Sequence, residues 1–111
     1  MYNLNLSNNE KVLLIDDNIL IKNKEKYYTI IITNERLLIL DYPNVFHNSN
    51  EDLRTSGKMN YIKMKEIIES INLALIKNIE EGDAYSKIIF KNDSYLEIKS
   101  KNVIQKIMTL I

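Results

Sequence analysis

Enzymatic chemistry needs a nucleophile, an acid or base held against it, or a metal, and few residues of this chain supply such parts. Cysteine is absent and histidine occurs once, at His47. His47 lies in a stretch rich in Asn and Ser with no acid spaced to orient it, so a solvated loop side chain is expected. Asp16-Asp17-Asn18 offers oxygens to a hard cation but lacks the alternating ligands and terminal glutamate of a calcium loop. Glu80, Glu81 and Asp83 form a second acidic group. Both runs are expected as surface turns, because short Asp and Asn side chains bond nearby backbone amides. Glycine occurs twice, at Gly57 and Gly82, which excludes a glycine-rich phosphate loop.

What remains is a basic patch. Lys22, Lys24 and Lys26 cluster at one strand connection, and Lys58, Lys63 and Lys65 leave the long polar stretch after Pro43. These six lysines are the candidate site for an anionic ligand or a partner. Each lysine near an anionic membrane contributes about 1 kcal/mol, so several give weak attraction, which Glu25, Glu66 and Glu69 dilute. Tyr27, Tyr28, Tyr61, Tyr85 and Tyr95 are expected as sheet residues, since tyrosine packs well on a pleated surface.

The composition narrows the partners. Fifteen basic residues balance fifteen acidic ones, whereas proteins held to nucleic acid by counterion release carry a basic excess, so no nucleic acid is expected. At 111 residues the chain is long enough to bury a core without disulfides or metal staples, and one domain over residues 1–111 is expected. No apolar run approaches the roughly 20 residues that span a bilayer. The first residues lack a basic segment ahead of a long apolar one, so the expected location is cytoplasmic, at most peripheral to a membrane. Neither an enzyme nor a cofactor or metal is expected.

The elements that would position these side chains are organised around residues 28–41. Tyr-Thr-Ile-Ile-Ile-Thr and Arg-Leu-Leu-Ile-Leu-Asp flank the two-residue break Asn34-Glu35, and β-branched residues stiffen χ1 in a way that suits a strand. Successive strand residues point to opposite faces, so this hairpin carries apolar side chains on both and should lie mid-core. Before it, residues 10–15 and 19–22 read as another hairpin around Asp16-Asp17-Asn18. After it, a long mobile loop is expected over residues 43–60. Residues 61–71 fit either a helical face (Tyr61, Met64, Ile68, Ile71) or a strand, with strand favoured from about Ile67 through Ile79. Gly82 is available for a positive φ in the following turn. Residues 84–91 and 95–99 alternate around Asn92-Asp93 as a hairpin. A closing helix follows, capped by Ser100 or Asn102, with Ile104, Ile107, Met108 and Ile111 as its core-facing stripe. The expected fold is mainly β: about seven antiparallel strands in a partly open barrel capped by one C-terminal α-helix.

That order of elements resembles the pleckstrin-homology (PH) superfold. The local sequence is similar to bacterial PH domains of the YokE-like and GRAM-related kind. Asn9-Glu10 matches the families' start, Thr33-Asn34-Glu35-Arg36-Leu37-Leu38-Ile39 matches their hairpin, Ile68-x-x-Ile71 their short apolar motif, and residues 103–111 their closing helix. The resemblance implies a noncatalytic binding module that docks a protein partner or, weakly, an anionic lipid surface. A self-associating structural subunit of a homo-oligomer is the alternative. The basic Lys-x-n-Arg-x-Arg signature of phosphoinositide-binding PH domains is missing, and the expected first turn, Asp16-Asp17-Asn18, is acidic instead.

Overall fold

The computed structural model describes residues 2–41 and 65–111. The expected loop over residues 43–60, with His47 and Lys58, lies outside the described residues, as do Tyr61 and Lys63.

The described residues form eight strands, β1 (Tyr2–Asn3), β2 (Val12–Ile21), β3 (Tyr27–Thr33), β4 (Arg36–Asp41), β5 (Lys65–Asn72), β6 (Ile76–Glu80), β7 (Ser86–Phe90) and β8 (Tyr95–Lys99), followed by helix α1 (Lys101–Leu110). They form one sheet in the order β1-β5-β4-β3-β2-β8-β7-β6. The seven from β2 to β8 pair antiparallel, and β1 joins the edge of β5 in parallel. The expected mainly β fold, seven antiparallel strands with one C-terminal helix, is present, and the sheet is not closed into a barrel, since its outermost strands β1 and β6 do not pair. It is nevertheless curled. Only Leu73–Leu75, one 3₁₀ turn, links β5 to β6, and three residues reach about 10 Å. The two ends of the sheet therefore approach each other at that corner.

The central hairpin follows its sequence. Ile32 pairs with Leu37 across Asn34-Glu35, and residues 30–32 and 37–40 are buried. Ile30, Ile32, Leu37 and Ile39 join the main core, while Ile31, Leu38 and Leu40 form a second cluster with Leu4 and Ile67 on the opposite face. Burying each such side chain is worth about 1.5–3 kcal/mol, so this hairpin anchors the sheet.

Four expectations change. Residues 10–22 are not a hairpin; residues 12–21 are one strand with register shifts on either side of residues 14–16. Asn18 takes a φ of 61°, which Asn tolerates better than other non-glycine residues. Asp17 Oδ1 accepts from Thr29 Oγ1 (2.6 Å), and Asp16 Oδ2 from Ser100 Oγ (2.7 Å). The turn-forming run thus makes a bulge, and bulges bend strands. Beyond this bend, Leu20 and Ile21 pair with both β3 and β8 or with β8 alone, joining the two halves of the sheet.

The expected strand from Ile67 to Ile79 is likewise two strands. Asn72 Oδ1 accepts from the Ala74 N–H (2.8 Å) and Leu73 N–H donates to Glu35 O (2.9 Å), turning the chain toward the far edge. Gly82 has no positive φ; it is needed for space, because a Cβ there would stand 2.3 Å from Tyr85 O.

Ser100 caps α1, its Oγ accepting from the Val103 N–H (3.1 Å). The helix packs on β2 and β3 through Val103, Ile104 and Ile107. Met108 and Ile111 are 46% and 54% exposed, so the expected stripe is half right. The packed face centres on residues 103–107, and the last turn passes the sheet rim, where Leu110 and Ile111 border a groove with Leu73, Ala74 and Ile76.

Candidate functional site

The four described lysines of the predicted patch sit at one end of the sheet. Antiparallel pairing puts the end of β2, the start of β3, the end of β4 and the start of β5 together there. Asn23, with a φ of 71°, and the Lys24 N–H to Ile21 O bond (3.0 Å) make the turn that carries Lys22 and Lys24.

Bringing lysines together also brings acids. Lys22 Nζ lies 3.5 Å from Glu97 Oε2. Lys26 pairs with Asp41 and stands 5.9 Å from the Tyr28 ring centroid; its pKa is raised, chiefly by the hydrogen bond to Asp41. Lys65 Nζ donates to Thr29 Oγ1 (2.6 Å) and lies 3.5 Å from Asp17 Oδ1. Lys24 alone of the four makes no ion pair among the described residues. This end therefore presents a neutralised, hydrated mosaic, and exposed pairs of this sort add little to stability.

The opposite end holds a cluster that spacing along the chain did not reveal, although Glu10, Thr33, Asn34 and Arg36 at its centre are motif residues of the resemblance. Arg36 forks onto Glu10, Nε to Oε2 at 2.9 Å and Nη2 to Oε1 at 3.0 Å. Its remaining donors reach Asn5 O (3.0 Å) and Ser70 Oγ (3.1 Å). Thr33 Oγ1 donates to Glu10 Oε2 (2.5 Å) and accepts from the N–H groups of Glu35 (3.0 Å) and Arg36 (2.9 Å). The Ser7 N–H donates to Glu10 Oε1 (3.1 Å). Asn34 adds two bonds, accepting from the Lys11 N–H (2.7 Å) and donating to Asn9 O (3.1 Å).

The Glu10 side chain is 1% exposed. The Arg36 guanidinium, helped by the Thr33 and Ser7 donors and opposed by burial, lowers its pKa from 4.5 to about 2, and Arg36 is raised in turn by Glu10. A general base works best near the operating pH. A carboxylate this acidic, with its lone pairs taken, is instead a clamp that fastens residues 5–11 to the β3–β4 turn and to β5.

Between β5 and the β7–β8 turn lies an open groove of about 500 Å³ lined by Glu69, Ile71, Leu75, Phe90, Lys91, Asn92 and Ser94. Its floor is apolar, with an acid and a base at the rim. Among the described residues no group of three His, Cys, Asp or Glu could hold a metal ion, and no helix is long and apolar enough to cross a membrane. No protein-family model matches the chain, and no curated protein matches it either.

Proposed function

We propose that the chain is a noncatalytic, PH-like binding module that docks a protein partner, with weak attraction to anionic membranes at most. The observation that carries this reading is the groove at Glu69, Ile71, Leu75, Phe90 and Lys91. Its apolar floor with one charge of each sign suits the side chains of a protein segment better than a polyanionic headgroup, which would seek several unpaired cations. The seven antiparallel strands followed by a helix on the sheet support the PH-like part. The clamping of the buried carboxylate Glu10 and the pairing of Lys22, Lys26 and Lys65 with acids support the noncatalytic, non-lipid part.

Co-sedimentation with phosphatidylcholine vesicles containing phosphatidylserine or a phosphoinositide tests it. Little retention is expected even at low salt, and none near physiological ionic strength, where exposed attractions are screened within about 8–10 Å. Tight retention that survives salt would put lipid in place of the protein partner.

A further inference from the structure

At the corner where β5 gives way to β6, two charges of opposite sign border one apolar floor. Glu69 belongs to β5 and Lys91 to the β7–β8 turn, the two elements on either side of the groove. Both residues are exposed, and among the described residues neither side chain makes an ion pair or a hydrogen bond. Their neighbour Lys77, by contrast, lies 3.2 Å from Asp93 Oδ1. The turn side of the groove is built without a ligand. Asn92 Oδ1 accepts from the Ser94 N–H (3.0 Å) and Oγ (2.6 Å), and the Phe90 N–H donates to Ser94 O (2.9 Å). The Lys91 N–H donates to Leu75 O (2.8 Å), tying the turn to the corner. Ile71 and Phe90 pack on the main core, while Leu75 is 52% exposed. A floor held in this way asks little further ordering of the protein when a ligand arrives.

Resting on the protein-docking reading of this groove, we propose that the partner segment it takes carries an apolar side chain for Ile71, Leu75 and Phe90, accompanied by one acid that meets Lys91 and one base that meets Glu69. Attraction and repulsion both select that chemistry. A run of acids would bring a carboxylate against Glu69, and a run of bases would bring an ammonium against Lys91; like charges set together across an interface reject a partner. A wholly apolar segment would gain the floor and neither charge. The occupant is therefore a segment of no net charge whose acid and base lie to either side of its apolar residue, and the two rim charges fix which way round it lies.

Selection of a phage-displayed library of random dodecapeptides on the intact chain tests this. Enriched peptides should carry an acid and a base around an aliphatic or aromatic residue, and as synthetic peptides they should shift the NMR amide signals of Ile71, Leu75 and Phe90. Lys91→Glu should weaken such a peptide about tenfold, and exchanging the peptide's acid for lysine should restore binding to that variant. Glu69→Lys should do the same with respect to the peptide's base, whereas Lys91→Arg and Glu69→Asp should change little. Added salt should shrink the charge-dependent difference. Both side chains are exposed, so all four variants should melt like the parent. If no peptide is enriched over an unrelated control protein, or if the enriched peptides shift signals elsewhere, the docking reading of the groove fails and its charge specificity with it. Peptides that enter the groove without this charge pattern, or that bind the parent, Lys91→Glu and Glu69→Lys equally well, would overturn the specificity and leave the docking reading standing.

Discussion

The two ends of the central sheet hold the same functional groups, carboxylates opposite cations, and use them differently. At the β3–β4 turn, Glu10 is removed from water and held by an arginine fork, a hydroxyl and an amide. At the β2–β3 turn, Lys22 and Lys26 meet Glu97 and Asp41 with half or more of each lysine side chain in solvent. Coulomb attraction between unit charges a few ångströms apart grows severalfold as water is excluded, and so does the cost of leaving one of them alone. Desolvation and geometry, not the number of charges, separate a clamp from a decorated surface.

The largest test of that contrast is Arg36→Met, which strands the buried Glu10 carboxylate. Removing one partner of a buried pair costs about 3–5 kcal/mol, and the partial exposure of Arg36 puts the expected loss at about 3 kcal/mol in urea unfolding. The same clamp has a pH signature. Because the folded pKa of Glu10 lies below its ordinary value of 4.5, at about 2, the unfolded chain takes up the proton first as pH falls. The clamp's charge-dependent stability is complete above about pH 4.5 and is lost as pH drops toward about 2. Glu10→Gln should flatten that part of a melting-temperature profile. An unchanged slope would mean that some other carboxylate governs acid unfolding.

Thr29 makes the comparison continuous. It lies toward the lysine end yet is fully buried, with its hydroxyl between Asp17 and Lys65. Thr29→Val keeps the shape and removes the bridge, so it should cost about 1–2 kcal/mol, the usual loss for a buried hydrogen-bonding group whose partners retain access to water. A loss as large as that of Arg36→Met would break the ranking by burial.

Sequence reading recovered what local chemistry decides. The Ile-rich and Leu-rich runs with a two-residue break define the central hairpin, and Ser100 or Asn102 ahead of Ile104 and Ile107 marks a capped amphipathic helix, for which Ser100 is the cap. It failed where a distant partner decides. Asp16-Asp17-Asn18 suits a turn or a bulge equally well, and only pairing of both flanking segments with β3 makes it a bulge. Asn72 likewise became the cap of a 3₁₀ turn because Leu73 could bond Glu35. The lysine end was legible as a cluster, but its neutralising acids come from β2, β4 and β8. Glu10 and Arg36, 26 residues apart, share no periodicity that spacing could reveal, even though both fall within the motifs of the family resemblance.

The smallest expected effect completes the comparison. Lys26 pairs with Asp41 as closely as Arg36 does with Glu10, so an argument from distance alone would rank the two together. The Lys26 side chain is 58% exposed, however, and an ammonium there exchanges one hydrated environment for another when the pair breaks. Water and salt already screen the attraction, and the long lysine side chain loses rotamer freedom to hold it. Lys26→Met should therefore leave the urea midpoint where it was, at both low and high salt, and Lys22→Met should do the same. The Arg36→Met loss should persist in high salt, because the Glu10 carboxylate it strands is shielded from ions. If Lys26→Met lowered the midpoint at low salt by as much as Arg36→Met, charge proximity would outrank burial in this sheet, and the distinction between its two ends would collapse.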